Sequence, residues 1–481
     1  MLSDMAPLAE LGGPLYERVA DRLQELVEQG TLRPGERLPS VRRLHDQWSV
    51  SISTVLRAYE VLETRGVIEA RPQSGHYVRA AQARAPIPRQ EPGSFTPSPI
   101  EGEDLMVRVT MRAGQNGLTR LGCGLPDRAL LPLDELDRVV ARVARERPES
   151  HDYVVAPGHA RLRRVLARRL VDAGCTLGPD DLLVTNGAQE ALDLCLRVLA
   201  RPGDTVVVES PTYFGLLEIL RARDVHAIEV PSHPMTGVDV DSVERALKES
   251  PVAAVVVSSN FTNPLGALMS DEHKSRLVAV CAAAEVPLVE DDAYGELGFE
   301  VGRPPSLKAW DNTGGVLTCG TLSKTLSPGL RIGWVAGGRY QAALVRRKLV
   351  SGLACPTVPQ LAAAEYLQTG GYDRHLRRLR RAYRDQIRRL AKHVEQTFPA
   401  GTRINRPRGG QFLWVELPEG GDGMALFESA WDAGISVAPG TMFSPSGGYR
   451  RFVRLNASVP WSDHVVEAVA KLGDLATAQL S

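Results

Sequence analysis

The sequence predicts an α/β protein built from a small module of three helices and a hairpin, followed by a large domain with a mostly parallel central sheet. At 481 residues the chain is too long for one ordinary hydrophobic core. Helical spacing of apolar residues dominates the first 80 positions. From about residue 116 onward, helices alternate with short β-branched segments, which is typical of a parallel sheet covered by helices.

The front module is predicted over residues 11–80. Its first helix covers residues 14–29, where the apolar residues recur at helical spacing: Leu15, Val19, Leu23 and Leu26. Ser40 and Ser51 precede two further helices as N-caps, and Gly66 is expected to end the third. Alternating apolar residues on both sides of "PQSG" predict a hairpin. Three helices and a hairpin form a winged helix-turn-helix.

The rest of the chain divides into a linker and the large domain. Residues 81–115 are rich in Ala, Pro, Ser and Gly, which predicts a partly extended linker. Residues 116–478 are expected to form the large domain. Its predicted strands are "DLLVTNG", "TVVVES", "AAVVVSS", "VPLVEDD" and "GVLTCG".

Charge and cysteine usage exclude several classes of protein. Lys and Arg total 57, as do Asp and Glu, so any basic surface that binds an acidic partner must be local. The six cysteines contain no C-x-x-C pair, which argues against a zinc site and against a disulfide framework. No apolar run approaches the roughly 20 residues that span a bilayer. We therefore expect a cytoplasmic protein with no bound metal and no membrane partner.

The front module resembles the GntR family of bacterial regulators over "LYERVADRLQELVEQGTLRPGERLPSVRRLHDQWSVSISTVLRAYEVLETRGVIEARPQSGHYV". The resemblance implies a double-stranded DNA operator as partner, with the third helix in the major groove and the wing in a neighbouring groove. The residues it places on the DNA are Arg42, Ser51, Ser53, Thr54, Arg57, Arg71 and Gly75. Ile52 departs from the family, whose members often carry an arginine there. The alternative is a module that serves only dimerisation, with solvated arginines.

A lysine in "GTLSKTLSPGLRIGW" carries the chemistry of the large domain. Burial of Lys324, or the nearby cation Arg331, would favour the neutral amine that attacks an aldehyde. Hydroxyl groups beside the lysine and the helix start in "TNGAQEAL" offer donors for a phosphate. Asp291, at the end of a predicted strand, offers the carboxylate that a pyridinium ring nitrogen requires. Together they predict pyridoxal 5'-phosphate as the cofactor.

These motifs resemble the fold type I, aspartate-aminotransferase-like enzymes over roughly residues 120–475. By that resemblance Lys324 is the catalytic lysine that forms the internal aldimine, and Asp291 binds the ring nitrogen. Arg454 forks the α-carboxylate of the substrate. Asn263 and Tyr294 contact the ring hydroxyl, Tyr213 stacks on the ring, and Tyr153 reaches the phosphate of the other subunit. The phosphate is held by Gly187, Ala188, Gln189, Thr321, Ser323 and Arg331. Tyr213 and Tyr153 have core packing as an alternative.

The combination of both halves is identified as the architecture of the MocR subfamily. It implies a homodimeric, pyridoxal phosphate-binding transcriptional regulator whose DNA binding responds to the cofactor or to an amino compound that forms an external aldimine. The alternative is a catalytically active aminotransferase that carries a DNA-binding domain. A scaffold without cofactor would need the loss of Lys324 or Asp291, and both residues are present.

Overall fold

The computed structural model describes residues 14–64, 67–71, 74–79, 85–100, 105–113, 117–300 and 302–480. The chain divides into two compact units, residues 1–84 and residues 85–481. In the described part of the chain, no helix combines the length and the apolar character that a membrane crossing requires.

The first unit is the predicted winged helix-turn-helix. Its elements are α1 (Leu15–Glu28), α2 (Val41–Trp48), α3 (Ile52–Thr64), β1 (Ile68–Arg71) and β2 (Gly75–Val78). The N-caps are confirmed, since Ser40 Oγ accepts from the backbone N–H of Arg43 (3.3 Å) and Ser51 Oγ from that of Thr54 (3.1 Å). The strands β1 and β2 pair as an antiparallel hairpin. The predicted helix stop at Gly66, the turn residues Pro72 and Gln73, and residues 11–13 and 80 lie outside the described residues.

The second unit holds the remaining elements. Its strands are β3 (Ser94–Ser98), β4 (Thr119–Arg120), β5 (Leu182–Thr185), β6 (Thr205–Ser210), β7 (His226–His233), β8 (Gly237–Val238), β9 (Ala254–Val257), β10 (Leu288–Asp291), β11 (Val316–Thr321), β12 (Gly333–Ala336), β13 (Arg403–Ile404), β14 (Phe412–Glu416), β15 (Ile435–Ser436), β16 (Ala438–Pro439) and β17 (Phe452–Asn456). Its helices are α4 (Leu105–Ala113), α5 (Leu133–Glu146), α6 (Ala160–Val171), α7 (Ala188–Leu199), α8 (Phe214–Ala222), α9 (Val240–Glu249), α10 (Asp271–Ala283), α11 (Gln341–Gly352), α12 (Thr357–Gln368), α13 (Gly371–Thr397), α14 (Gly423–Asp432) and α15 (Asp463–Ala478).

The main sheet runs in the order β3-β7-β6-β9-β10-β11-β12-β5, with β8 added to β7. The central strands β7, β6, β9, β10 and β11 pair in parallel, whereas β12 is antiparallel to both of its neighbours. Every residue of β6 and β9 is buried, which explains their continuous Val-rich sequences, since helices cover both faces of a parallel sheet. The predicted mostly parallel α/β sheet is confirmed.

A smaller subdomain is built from the C-terminal part of the chain. Its antiparallel sheet has the order β13-β14-β17-β16, and α13, α14 and α15 pack on one shared apolar cluster with it. Trp414, Phe443 and Phe452 lie in that cluster, with Trp414 and Phe452 stacked at 5.3 Å between ring centroids. The predicted smaller α/β subdomain is therefore present. One continuous apolar cluster joins its sheet and helices, and Leu265 and Ala267 of the large subdomain belong to the same cluster.

The predicted linker over residues 81–115 differs from the structure. Residues 94–98 form β3 on the edge of the main sheet, and residues 105–113 form α4. Phe95 and Ile100 pack against the apolar clusters of the large subdomain. The expectation rested on composition, and a few apolar residues among the prolines suffice to fasten the chain when a sheet edge is free. Residues 81–84, 101–104 and 114–116 lie outside the described residues.

Candidate functional site

The site forms where two parallel strands end. Asp291 is the last residue of β10 and lies beside Cys319 of β11 in the parallel register, and Lys324 follows the end of β11 by three residues. Since parallel strands deliver their carboxyl ends to the same edge of a sheet, the predicted carboxylate and the predicted lysine meet there.

Lys324 lies in an environment that favours its neutral amine. Its Nζ donates to the carbonyl oxygen of Gly124 at 2.7 Å and lies 5.7 Å from the ring centre of Tyr294. Burial and the nearby guanidinium of Arg454 together lower the pKa of Lys324 to about 8, although Asp291 opposes the shift. An amine with this pKa is partly uncharged at neutral pH and is therefore a nucleophile.

The pH dependence of cofactor attachment tests this environment. We expect the rate at which the apoprotein attaches pyridoxal phosphate to fall about tenfold per pH unit below pH 8 and to level off above it, because only the neutral amine attacks. The measurement is stopped-flow absorbance between pH 6 and pH 10. Replacing the exposed Lys471 by alanine serves as the control and should leave the profile unchanged. A rate that keeps rising to pH 10 contradicts the lowered pKa.

Asp291 is the carboxylate predicted to bind a protonated ring nitrogen. Its Oδ1 accepts from the backbone N–H of Ala293 at 3.2 Å. Burial raises the pKa of Asp291 to about 6, an effect that neighbouring Asp292 strengthens and Lys324 opposes. A buried carboxylate with this pKa gains most from a cation beside it, because ion pairing offsets the cost of desolvating the charge.

A cradle for an anion lies at the start of α7. Gly187 has φ +86° and precedes the helix, whose first backbone N–H groups, at Ala188 and Gln189, have no partner within a helix. Arg331 crosses this turn and donates from Nη2 to Asn186 O at 2.6 Å. A Cβ on Gly187 would lie 2.4 Å from that Nη2, so only glycine fits. The free N–H groups and the guanidinium together are suited to a phosphate.

Two hydroxyl groups complete the cradle. Arg331 Nη1 lies 3.4 Å from Ser323 Oγ. Thr321 Oγ1 donates to Ile332 O at 2.8 Å and accepts from the backbone N–H of Ser323 at 3.1 Å. The structure therefore brings together the residues predicted for the phosphate, although their contact with it stays a prediction.

The three tyrosines predicted for the site differ in burial: Tyr294 is buried, Tyr213 is half-buried and Tyr153 is exposed. Tyr213 donates from its hydroxyl to Gln189 Oε1 at 3.0 Å, which ties it to the first turn of α7. Tyr294 is buried, with its ring edge-on to Phe412 at 5.6 Å. Tyr153 is 83% exposed and is therefore not a core aromatic. The stacking of Tyr213 and the ring-hydroxyl contact of Tyr294 stay predictions.

Arg454 is a buried cation without a counter-charge among the described residues. It is 1% exposed on β17, and its Nη1 and Nη2 donate to Asn263 Oδ1 (2.8 Å) and Gly122 O (2.7 Å). Its Nε has no partner in this part of the chain, and no described carboxylate forms an ion pair with it. Burial lowers the pKa of Arg454 to about 10, so it stays charged at neutral pH. A buried, uncompensated guanidinium is a ready receptor for a carboxylate.

Sequence reasoning missed several residues of the site. The carbonyl oxygens of Gly122 and Gly124 hold Arg454 and Lys324, and the paired glycines of "GCGLP" were a signal for this close approach. The rings of Phe412 and Phe443 lie 4.2 and 5.0 Å from the guanidinium carbon of Arg454. The sequence did not single out these two phenylalanines, because aromatic residues in a large domain usually belong to its core.

The geometry fits pyridoxal phosphate. The glycine cradle offers donors suited to a phosphate, Asp291 offers a carboxylate suited to a protonated ring nitrogen, and Lys324 offers an amine of lowered pKa suited to an aldehyde. These contacts stay predictions. Within the described ranges, no three His, Cys, Asp or Glu side chains cluster in a way that could hold a metal ion.

The first unit presents the start of α3 to solvent. Ser51 Oγ lies 2.8 Å from Ser53 Oγ and 2.7 Å from Thr54 Oγ1, so the predicted hydroxyl residues form one cluster. Arg57 is exposed, with its guanidinium carbon 4.8 Å from the ring centre of Tyr16. Ile52, where an arginine was expected from the family, is 45% exposed. The face combines hydroxyl, cationic and apolar groups, as a major-groove reader requires.

The remaining predicted DNA residues differ in their surroundings. Arg42 is exposed, whereas Arg71 is paired with Glu69 at 2.9 Å, so its charge is partly compensated. Gly75 has φ +104°, and a Cβ there would lie 3.0 Å from Nε of Arg37. Sequence reasoning missed Arg37. An isolated β-bridge between its backbone and that of Tyr77 places Arg37 beside the wing.

The comparisons with known proteins agree with this geometry. Residues 121–472 match the model of aminotransferase class I and II, and residues 15–78 match that of the bacterial regulatory proteins of the gntR family. The uncharacterised HTH-type transcriptional regulator YjiR of Escherichia coli is 36% identical over 95% of this chain and 98% of its own length. The probable rhizopine catabolism regulatory protein MocR of Rhizobium meliloti is 27% identical over 89% of this chain and 86% of its own length.

Among solved structures, the α-aminoadipate aminotransferase LysN of Thermus thermophilus, complexed with N-(5'-phosphopyridoxyl)-L-leucine, superposes with a TM-score of 0.72. It is 30% identical and covers 78% of this chain and 97% of its own. The cofactor of the chain is pyridoxal 5'-phosphate. The chain belongs to the class I and II aminotransferase family, within the MocR-type group of regulators that carry a gntR-family helix-turn-helix module ahead of that domain.

Proposed function

We propose that the protein is a cytoplasmic transcriptional regulator that binds an operator duplex through its first unit, and that an amino compound in its pyridoxal phosphate site changes that binding. The observation that carries the proposal is Arg454, a buried cation whose Nε has no partner among the described residues. In a ligand that bears both an amino group and a carboxylate, the carboxylate would pair with Arg454 and the amine would compete with Lys324 for the cofactor aldehyde. The effector is therefore expected to be an amino acid or a close relative of one.

Three residues of the site would each perform a separate task, namely Asp291, Arg454 and Lys324. Pyridoxal phosphate supplies an electron sink conjugated to the amino group of its ligand. Asp291 would pair with a protonated ring nitrogen, and Arg454 would orient the carboxylate through a planar fork. Lys324 would hold the cofactor, and its Nζ could accept a proton when it is not bonded to the cofactor, because burial lowers its pKa.

These tasks also suit a working aminotransferase, which is the second candidate function. The lowered pKa of Lys324 is the observation that favours it. Turnover of an amino donor with a keto acid, measured at catalytic protein concentrations, decides between the two.

We further propose a homodimer. Tyr153 is 83% exposed, and Val155 (47%) and Leu353 (45%) carry exposed apolar side chains on adjacent segments, since Ala156 N donates to Leu353 O at 3.2 Å. Such a patch supports a protein interface. In the dimer Tyr153 would complete the phosphate site of the neighbour, and two reading heads would meet two half-sites. A monomer at micromolar concentration in sedimentation velocity contradicts this proposal.

The effector proposal is tested with two stable probes on a duplex obtained by in vitro selection. N-(5'-phosphopyridoxyl)-L-leucine carries phosphate, ring and carboxylate, whereas pyridoxamine 5'-phosphate lacks the carboxylate. We expect the first probe to change operator affinity at least about fivefold relative to the second, a usual size for coupling between two sites. Fluorescence anisotropy measures both affinities. Equal affinities with the two probes contradict the proposal.

Operator binding is expected to depend on the arginines of the first unit. Each neutralised phosphate adds about −0.9 to the slope of log affinity against log salt on duplex DNA. Arg42→Ala or Arg57→Ala should therefore weaken binding and flatten this slope by about one unit. Arg145→Ala, at a side chain 75% exposed in the second unit, is the matched control and should change neither quantity. Unchanged affinity in both test variants indicates arginines that only face solvent.

A further inference from the structure

Residues 85–98, named here the strap, join the two subdomains of the second unit. The strap begins on the small C-terminal subdomain and ends as β3 on the edge of the main sheet. In the chain it directly follows the first unit, whose last described residue is Arg79. A displacement of the strap therefore displaces the point to which the DNA-binding module is tethered.

The small subdomain holds the first half of the strap through hydrogen bonds to its sheet and to the segment before β17. Ile404 N donates to Pro86 O at 3.0 Å, Arg89 N to Glu416 Oε2 at 2.7 Å, and Tyr449 N to Glu91 Oε2 at 2.8 Å.

Glu416 is the centre of this attachment. Its side chain is 2% exposed, and it also accepts from Nη2 of Arg451 at 3.1 Å. A buried carboxylate that binds a backbone N–H forms a strong, directional contact, because its charge is poorly screened.

The large subdomain holds the second half of the strap. In the antiparallel ladder between β3 and β7, Ser94 pairs with Glu229 and Ser98 pairs with Ala227. Gly93 passes so close to β7 that a Cβ there would lie 2.3 Å from the carbonyl oxygen of Glu229. The strap thus has one anchor on each subdomain.

The groups that bind the ligand are divided between the same two bodies. Lys324 and Asp291 follow strands of the main sheet, whereas Arg454 lies on β17 of the small subdomain. The strands β14 and β17 are paired, with Trp414 opposite Arg454 and Glu416 opposite Phe452. Glu416 and Arg454 therefore lie on two paired strands of the small subdomain's sheet.

We infer that the strap transmits the state of the cofactor site to the DNA-binding module, with Glu416 and Gly93 as its two anchors. The inference rests on the proposed function. A ligand that joins the cofactor at the edge of the main sheet to Arg454 selects one placement of the small subdomain against the main sheet, and the strap is anchored on both. The ligand and the strap are therefore coupled, because both depend on where the small subdomain lies against the main sheet. The coupling is reciprocal: a strap attached at both ends also favours binding of the ligand. Pyridoxamine 5'-phosphate has no carboxylate to pair with Arg454, so it does not favour that placement of the small subdomain.

The test measures operator binding by the full chain with N-(5'-phosphopyridoxyl)-L-leucine, the carboxylated probe, and with pyridoxamine 5'-phosphate. In the wild type the ratio of operator affinities between the probes is at least about fivefold. Glu416→Gln weakens the small-subdomain anchor, and Gly93→Ala lifts the strap from β7. With either substitution, we expect the operator affinities measured with the two probes to differ by less than about twofold. The affinity of the protein for the carboxylated probe, measured without DNA, should change less than about threefold. The control Glu419→Gln, at an exposed glutamate of the same subdomain, should keep the wild-type ratio.

A second measurement does not involve DNA. Hydrogen exchange at the backbone N–H of Arg89 is expected to slow with the carboxylated probe and to stay unchanged with pyridoxamine 5'-phosphate, because only the first fastens the small subdomain. A wild-type operator ratio of one overturns the proposed function and this inference together. Two other outcomes overturn this inference alone. In the first, both strap variants keep the wild-type ratio of operator affinities. In the second, the wild type shows that ratio but hydrogen exchange at Arg89 is the same with both probes.

Discussion

Lys324→Ala is expected to yield a folded protein that loses all of its cofactor on dialysis after borohydride treatment, whereas the wild type keeps about one equivalent per chain. The reason is chemical. Lys324 Nζ lies beside Gly124 O in a buried site, and burial and the neighbouring guanidinium of Arg454 hold its pKa near 8. Reduction fixes the cofactor only on an amine that has already attacked the aldehyde.

Absorbance and peptide mapping measure this outcome. The wild type should be yellow before reduction, and the reduced cofactor should map to the peptide that contains Lys324. Lys471→Ala removes an exposed lysine of the same unit and should retain a full equivalent. Circular dichroism checks that Lys324→Ala is folded. Recovery of reduced cofactor on another lysine contradicts the assignment of Lys324.

Arg454→Met is expected to weaken binding of N-(5'-phosphopyridoxyl)-L-leucine by about 100-fold, since hydrogen bonds to charged groups contribute about 1.5–3 kcal/mol each. Binding of pyridoxamine 5'-phosphate should change less than threefold, because this molecule has no carboxylate for the fork to hold. The difference between the probes separates loss of carboxylate recognition from general damage to the site. Methionine keeps a long apolar stem between Phe412 and Phe443.

Isothermal titration measures both affinities. The matched control is Arg450→Met, since Arg450 lies four residues earlier on the same subdomain and its side chain is 79% exposed. It should bind both probes as the wild type does. Equal weakening of both probes by Arg454→Met would show that the guanidinium supports the fold of the site and does not recognise a carboxylate.

Much of the fold followed from local patterns. The caps at Ser40 and Ser51, the strands of the main sheet and the glycine before α7 were readable because each depends on neighbours within a few residues. The linker was the exception. Its composition predicted an extended chain, and the extended conformation is present, but only the free edge of β7 decides that residues 94–98 become a strand.

The sequence by itself determined the order of the elements and the two resemblances. It also predicted which lysine, carboxylate and phosphate donors form the site, because these groups occur in short motifs. Only the tertiary structure decided that Lys324 faces Gly124, 200 residues away, and that Arg454 reaches Gly122, 332 residues away. Only it shows that Arg454 is buried without a counter-charge among the described residues and that the strap has an anchor on each subdomain. Burial and pairing are set by which distant segments pack together, and local propensity carries no information about that.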